Sequence, residues 1–584
     1  MDYKDNYRHW CENVADEHKQ ELAAIAHDET ELRERFTLPL AFGTAGMRGT
    51  IALGISNMNV YTVARASKGL CDYICTLGKD AMARGVVVSY DTRRMSFEFA
   101  LTTARVLAAG GVRVHLFEDV RPVPMCSFAI RHLGAIAGVM ITASHNPKEY
   151  NGYKVYGEDG AQMSPEATAK VVEFIDKTPY FGIPLAQTAC TDRSQIDGKD
   201  GYALCDNVVV IGKRVDEAYY TTIERLSLSP DAVARVGKSI RIVYSPIHGS
   251  GYKPVTTMLA RMGIAVNVVE EQRDPDPDFS TVAMPNPEQP DALELGIALA
   301  DRTGSDIVIG TDPDCDRMGI AIRDGAGAFV LLNGNQIGAL LMDYILMRHA
   351  QEGTLPANAA VVKTIVTTRL ADKIAAHYGA SVYNVLTGFK FIGEKIKQWE
   401  SDGAHTFLFG YEESYGYLSG THARDKDAVV ASMLFAEMYC YYSDRGVRLY
   451  DRLQELFATY GYFIETSKSI AFRGLDGMDK MARIMTAMRR TALSQIAGIA
   501  VRSKADLAAQ TIVYADGTVA PTDLPKTDVI RYDLGNDEWV CVRPSGTEPK
   551  LKIYVSTCAA DAQESMRRNR ALQSALEILV GQVD

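Results

Sequence analysis

Three aspartates, Asp312, Asp314 and Asp316, alternate within five residues of the segment GTDPDCDRMGIA, 310–321. Carboxylates that close repel strongly unless a cation sits among them. Hard oxygen ligands suit Mg²⁺, which often also takes a phosphate oxygen. A solvated acidic turn is the plainer alternative. Against it, the segment leaves the apolar run 306–310, and Arg317-Met318-Gly319-Ile320 continues into another. The spacing is not that of an EF-hand, because the later ligands and the closing Glu are missing.

Three more loops carry chemistry. TASHNPKEYNGYKVY, 142–156, follows the apolar run 135–141 and places Ser144 beside His145 at a turn that Asn146-Pro147 enforces. A serine hydroxyl is a weak nucleophile unless a base or a metal assists it, and His145 and Lys154 are candidates for positioning charge or moving protons. A Ser-His pair alone is more often structural; the whole string is far more specific. GYEESYGYLSGTHARDKDA, 410–428, offers Glu412, Glu413 and Ser414, a pairing that suits a diol, followed by His422, Arg424 and Lys426, which could meet an anion. A charged surface loop is the alternative there. RPSGTEPKLKIY, 543–554, gathers the Arg543 guanidinium, the Ser545 and Thr547 hydroxyls and the Gly546 backbone, with Lys550 and Lys552 adding positive field. That collection matches the oxygens of a phosphate better than it matches a plain tight turn. Two phosphate-loop look-alikes fail: Gly237-Lys238-Ser239 lacks the earlier glycine, position 232 being Ala, and Gly249-Ser250-Gly251 meets Pro254.

These loops need strands to hold them, since ligands of open α/β sheets gather beyond the carboxyl ends of strands. Val86–Tyr90, a helical pattern over Ser96–Ala109, Val112–Phe117 and Ala135–Ile141 alternate as βαβ units do. The rhythm returns at Ile240–Tyr244, Val266–Val269 and Asp306–Gly310, and again at Val361–Val366, Ser381–Leu386 and Thr406–Gly410. The last stretch changes: Thr511–Tyr514, Val529–Tyr532, Trp539–Val542 and Leu551–Val555 are strand-like with hairpin turns at 515–517 and 535–537, and a helix over about 560–580 follows. The expected fold is α/β with four domains: three successive α/β modules with mainly parallel sheets, then a C-terminal α+β domain. The boundaries are placed at 1–205, 206–325, 326–455 and 456–584, with residues 1–35 an amphipathic helical lead-in.

Composition fits several ordinary cores: 584 residues, 47% hydrophobic and 23% charged. The net charge of −11 argues against a nucleic-acid partner. The ten cysteines are scattered without CxxC spacing, as reduced cytosolic thiols are. The N-terminus is charged from residue 2, unlike a signal peptide, and the longest apolar runs are near nine residues against the ~20 of a membrane span. A cytoplasmic protein without membrane or nucleic-acid partners is expected, as monomer or homodimer.

The four strings, in this order, resemble the α-D-phosphohexomutase superfamily, the phosphoglucomutases, phosphomannomutases and relatives. FGTAGMRG, 42–49, resembles its opening motif, so the likeness spans essentially the whole chain, and it implies four domains around a central cleft. It implies that Ser144 is the phosphorylated serine and that Asp312, Asp314, Asp316 and an oxygen on Ser144 ligate Mg²⁺. It implies that Arg48 and Lys154 flank the reacting phosphoryl group, and that Glu412 and Ser414 contact sugar hydroxyls. Arg543, Ser545, Gly546 and Thr547 would hold the non-reacting phosphate. Arg317, Lys390 (in TGFKFIGE) and Arg424 are further candidates for substrate contact. One departure stands out: some bacterial members carry His two residues after the sugar-loop serine, where this chain has Gly416. GYEESYGY and HARDKDA are closer to the phosphoglucomutase-like branch.

The implied reaction is interconversion of hexose 1-phosphate and hexose 6-phosphate, above all glucose, through phosphoserine and a sugar 1,6-bisphosphate that is both intermediate and activator. The proton acceptor is Lys154 or His145. Mannose or pentose phosphates as substrate, and a glucose-1,6-bisphosphate synthase, are alternatives of the same chemistry. A haloacid-dehalogenase-like phosphatase is a different one; it expects its aspartates on the first strand of the fold. A sugar-phosphate-binding module without activity is the non-enzymatic alternative.

Overall fold

Short runs of valine and isoleucine bounded by helices become central strands, because β-branched side chains buried on both faces are what a parallel sheet requires. In the computed structural model of the chain, which describes residues 2–43, 46–472, 477–544 and 550–582, the first such set is β1 (Gly46–Thr50), β2 (Val86–Tyr90), β3 (Val114–Phe117), β4 (Ala137–Ile141), β5 (Tyr150–Gly157), β6 (Ala203–Cys205) and β7 (Val208–Ile211). They form one sheet in the order β1-β5-β4-β2-β3-β7-β6. The central neighbours are parallel, while β5 runs antiparallel to both β4 and β1. β4 begins two residues later than its apolar run does. Gly134, in the left-handed conformation at φ 66°, ends the helix Val123–Leu133, and the Ala135 N–H is spent on Ile130 O.

A second sheet contains β8 (Ile242–Ser245), β9 (Val266–Val268), β10 (Ile307–Thr311), β11 (Met318–Arg323) and β12 (Phe329–Leu332), in the order β12-β11-β10-β8-β9. Its βαβ half is parallel, and β10–β11–β12 is an antiparallel meander. The tight β10–β11 connection is the acidic loop itself. Next come β13 (Ala359–Thr364) and β14 (Ser381–Val385), paired in parallel, then β15 (Thr406–Glu412) and β16 (Gly416–Ser419).

The last segment is antiparallel. It contains β17 (Tyr462–Ala471), a two-stranded ribbon of β18 (Gln495–Ile496) and β19 (Ile499–Ala500), then β20 (Ser503–Asp506), β21 (Thr511–Tyr514), β22 (Val519–Pro521), β23 (Ile530–Gly535), β24 (Glu538–Pro544) and β25 (Lys550–Ala559). The main sheet runs β17-β25-β24-β23-β20-β21-β22. Alternation sets its core: Ile530, Tyr532 and Leu534 pack with Met481, Met485 and Leu576 of two helices, while Cys541, Trp539 and Tyr554 join Ile365, Val366 and Leu386. Asn536 and Asp537, both at positive φ, make the β23–β24 hairpin turn that 535–537 predicts.

The chain divides into two compact units. One comprises residues 1–334, 392–410 and 414–446; the other comprises 335–391, 411–413 and 447–584. The N-terminal lead-in belongs to the first, where Trp10, Leu22, Leu32 and Phe36 form their own cluster with Leu53 and Ile55. Among the described residues, no helix is long and apolar enough to cross a membrane.

Candidate active site

Ser144 leaves the end of β4 in a conformation unusual for a residue with a Cβ, at φ 53°. Its N–H is held by Thr142 Oγ1 at 2.8 Å. Its hydroxyl donates to Asp312 Oδ2 at 2.8 Å and lies 3.2 Å from His145 Nδ1. Asp312 sits just past β10, where its other oxygen accepts the N–H groups of Asp316 and Arg317 and folds the acidic loop back on itself. Thr142 also reaches the acidic loop, donating to Asp314 Oδ2 at 3.2 Å. The motifs at 142–156 and 310–321 therefore meet through side chains within the first unit.

The three aspartates are fully buried, and one oxygen from each lies within 4.8 Å of the others. Asp314 Oδ1 and Asp316 Oδ1 are buried acceptors without a hydrogen-bond donor. Buried carboxylate oxygens are normally paired, so these orphaned atoms, all hard oxygen donors, fit a small divalent cation. Two lysines share the remaining charge. Lys154, on β5, lies 2.9 Å from Asp314 Oδ2 and 3.8 Å from Asp316 Oδ2; Lys426 lies 2.8 Å from Asp316 Oδ2. Burial and the charges of Asp314 and Asp316 push the Asp312 carboxyl well above its usual range. Burial also raises Asp316, with the Asp314 charge behind it. Burial acts on Asp314 too, but Lys154 outweighs it and holds that carboxyl below the usual range. His145 is pushed well below the usual imidazole range by burial first, then by Arg317 and Arg48, so it is neutral at pH 7.

Arg48 comes from the opening motif, of which Thr44 and Ala45 lie outside the described residues. The β1–β5 ladder sets Arg48 opposite Gly152 and Gly46 opposite Lys154. Gly152 has to be glycine, since a Cβ there would lie 2.5 Å from Thr142 O. Arg48 is exposed and donates to Asn146 Oδ1 in the serine loop. Arg317 pairs with Glu288 and bridges in backbone to Gly416.

The segment Arg424–Asp427 attaches to a different neighbour at each residue. The Arg424 guanidinium is buried against Glu400 and the carbonyls of Thr421 and Ala423. Asp425 accepts from Tyr156 and Gln162. Lys426 turns to Asp316. Asp427 caps the helix Ala428–Ser443 and accepts from the Tyr219 hydroxyl, with His422 Nε2 2.7 Å away. Gly416 explains how Lys426 gets there: a Cβ at 416 would stand 2.1 Å from Lys426 Cδ. Position 416 is here the passage for the Lys426 stem. The sequence gives Lys426 only as one basic residue of a loop; the alternation of Arg, Asp, Lys and Asp was the available signal.

The second unit holds most of the other candidates. Glu412 is buried and accepts the Gly388 N–H on Oε1 at 2.7 Å. Arg543, at the end of β24, donates to Thr387 Oγ1. Thr387-Gly388 thus lies against both residues, and Lys390 opens the helix Lys390–Asp402 just beyond. Glu413 is pushed up to about 7 by burial and by the charge of Glu412. Ser414 is half-buried in the first unit. Ser545, Gly546 and Thr547 lie outside the described residues.

The phosphoglucomutase/phosphomannomutase alpha/beta/alpha domains I, II and III match residues 39–180, 217–325 and 333–460, and the C-terminal domain of that family matches 486–571. A phosphoglucomutase of Staphylococcus epidermidis is 37% identical over 533 residues, 90% of this chain and 92% of its own. One of Staphylococcus aureus is 36% identical over 547 residues, covering 93% and 94%. In fold, a putative phosphomannomutase from Thermus thermophilus aligns with a TM-score of 0.66 at 24% identity, over 93% of this chain and 99% of that one. The phosphoglucomutase pp63/parafusin of Paramecium, in an open form, aligns at 0.67 and 18% identity, over 93% and 95%. A buried acidic trio against a strand-end serine, four family domains in order and relatives matched over nine-tenths of the chain make this protein a member of the phosphoglucomutase/phosphomannomutase family.

Proposed function

We propose that the chain is a hexose-phosphate mutase that interconverts α-D-glucose 1-phosphate and glucose 6-phosphate by way of phosphorylated Ser144. The observation that carries this reading is the 2.8 Å bond from the Ser144 hydroxyl to Asp312 at the edge of a buried carboxylate trio with two orphaned oxygens. Glucose is favoured by relatives called phosphoglucomutases over most of their length.

Asp312, Asp314, Asp316 and an oxygen on Ser144 would hold Mg²⁺, which when bound neutralises charge on the phosphoryl oxygens. The chain's own residues do the rest. Ser144 Oγ carries the phosphoryl group and gives it to the free hydroxyl of a sugar monophosphate, making a 1,6-bisphosphate. That intermediate turns over, and Ser144 Oγ takes back the other phosphoryl group. Transfer of this kind needs mostly positioning and charge, which Lys154, Lys426 and Arg48 supply. The hydroxyl proton is assigned to His145 or Lys154, whichever acts in its neutral form, and one proton returns to Ser144 Oγ as its bond to phosphorus breaks. Glu412 and Ser414 are assigned to sugar hydroxyls, Arg543, Ser545, Gly546 and Thr547 to the non-reacting phosphate, and Arg317, Lys390 and Arg424 to further substrate contact. The domain division 1–205, 206–325, 326–455 and 456–584 belongs to the same proposal.

The test is a panel of glucose, mannose, ribose and glucosamine 1-phosphates, each with Mg²⁺ and a trace of its bisphosphate. The reading expects turnover highest with glucose 1-phosphate and dependent on the bisphosphate. No conversion of any sugar phosphate would overturn it. Formation of bisphosphate from 1,3-bisphosphoglycerate without mutase flux would replace it with a synthase.

A further inference from the structure

Arg93 lies beyond β2, in the turn that follows Tyr90, and its side chain is fully buried. Its guanidinium donates to four backbone carbonyls of one short segment: Nη2 to Ser144 O and Asn146 O, and Nη1 to Pro147 O at 2.9 Å and Tyr150 O at 3.1 Å. Asp91 Oδ2 faces the Nε at 3.4 Å, and the Phe279 ring lies beneath the guanidinium at 5.0 Å. Asp91 Oδ1 in turn accepts the Arg93 N–H and the Ser96 hydroxyl, and Asn151 donates to Ser96 Oγ and Arg94 O. The turn 91–96 therefore grips both ends of the serine loop.

A loop through a serine at positive φ is not a conformation the chain favours by itself. Its inward carbonyls also need donors where water is excluded. One planar fork serves all four at once. An ammonium, a point charge with three donors on a single nitrogen, cannot span them. The role is one of geometry rather than of contact with the reacting atoms, and nothing in the four chemical motifs points to it.

We infer that Arg93 is a positioning residue of the phosphoryl transfer: by cross-bonding the carbonyls of 144, 146, 147 and 150 it sets the direction in which Ser144 Oγ meets the acidic trio. This rests on the phosphoserine reading above, so the experiment carries Ser144→Ala alongside. Steady-state kinetics with glucose 1-phosphate are compared for wild type, Arg93→Lys and Arg93→Ala, with folding followed by circular dichroism. Misplacing a reacting group by about 1 Å costs ~100-fold in rate. Arg93→Lys keeps the charge and loses the fork, and kcat is expected to fall at least ~10-fold with KM within about threefold. Arg93→Ala is expected to fall ~100-fold and to regain part of its kcat with millimolar guanidinium. Should Arg93→Ala not fold, Arg93→Lys decides alone. A folded Arg93→Lys with kcat within about threefold of wild type, or with KM rising in step with the loss, overturns the inference. Activity surviving in Ser144→Ala overturns the phosphoserine reading instead, and the two failures are told apart within one panel.

Discussion

The hydroxyl of Ser144 bonds the carboxylate of Asp312 across 168 positions of sequence, at 2.8 Å. Ser144 follows β4 and Asp312 follows β10, strands of two different sheets, and each stands beyond the carboxyl end of its strand. The serine and the acidic trio share one site because both strand ends present their loops to the same place.

Replacing Ser144 with Ala removes the atom proposed to carry the phosphoryl group while leaving a residue that packs as well. Mutase turnover is expected to drop by about 10³-fold or more. Intact-mass measurement after incubation with the bisphosphate should show one added phosphoryl group on wild type and none on the variant. Near-normal turnover would reject the covalent route.

Metal removal should act on stability as well as on rate. Orphaned oxygens on Asp314 and Asp316 would gain a partner on binding Mg²⁺, so the melting temperature should rise with Mg²⁺ concentration. The stabilisation is about 2.7 kcal/mol at 100 times Kd. Asp314→Asn should lose that rise and the activity together. A Tm indifferent to Mg²⁺ in wild type would remove the trio as a metal site.

Arg543 is proposed to bind the non-reacting phosphate rather than to react. Arg543→Ala should raise KM by ~10–100-fold and lower kcat much less, the signature of lost ground-state binding. Initial rates over a range of glucose 1-phosphate check this, and an unchanged KM removes the residue from the phosphate site.

Asp427 is fully buried, caps a helix through two N–H groups and accepts from Tyr219. Removing it strands those donors. Asp427→Ala should cost about 3 kcal/mol in urea denaturation, and Asp427→Asn, which keeps one acceptor, clearly less.

Glu465, on β17, is pushed up to about 7 by burial. A carboxyl with a folded pKa above its unfolded value of about 4.5 favours the folded state most below pH 4.5, and that contribution is lost as pH rises through 7. The loss is about 3 kcal/mol at most. Glu465→Gln, which cannot ionise, should therefore stabilise the protein at pH 8 and change little at pH 5. Equal effects at both values in urea titrations would contradict this.

Much of this was legible in the residues. Val86–Tyr90 and Ser96–Ala109 have the observed bounds because apolar runs and helical periodicity report locally which side chains face a core. Asp312, Asp314 and Asp316 could be read as one group because three carboxylates within five residues have to share their surroundings. Tertiary structure alone decided what approaches that group. Lys426 reaches Asp316 only because Gly416 leaves its stem a path. Arg93 reaches four carbonyls more than fifty positions away only because β2 and β4 are neighbours in the sheet. Periodicity is a property of short segments. Which strand lies beside which, and therefore which charges meet, is settled by long-range burial that no local pattern records.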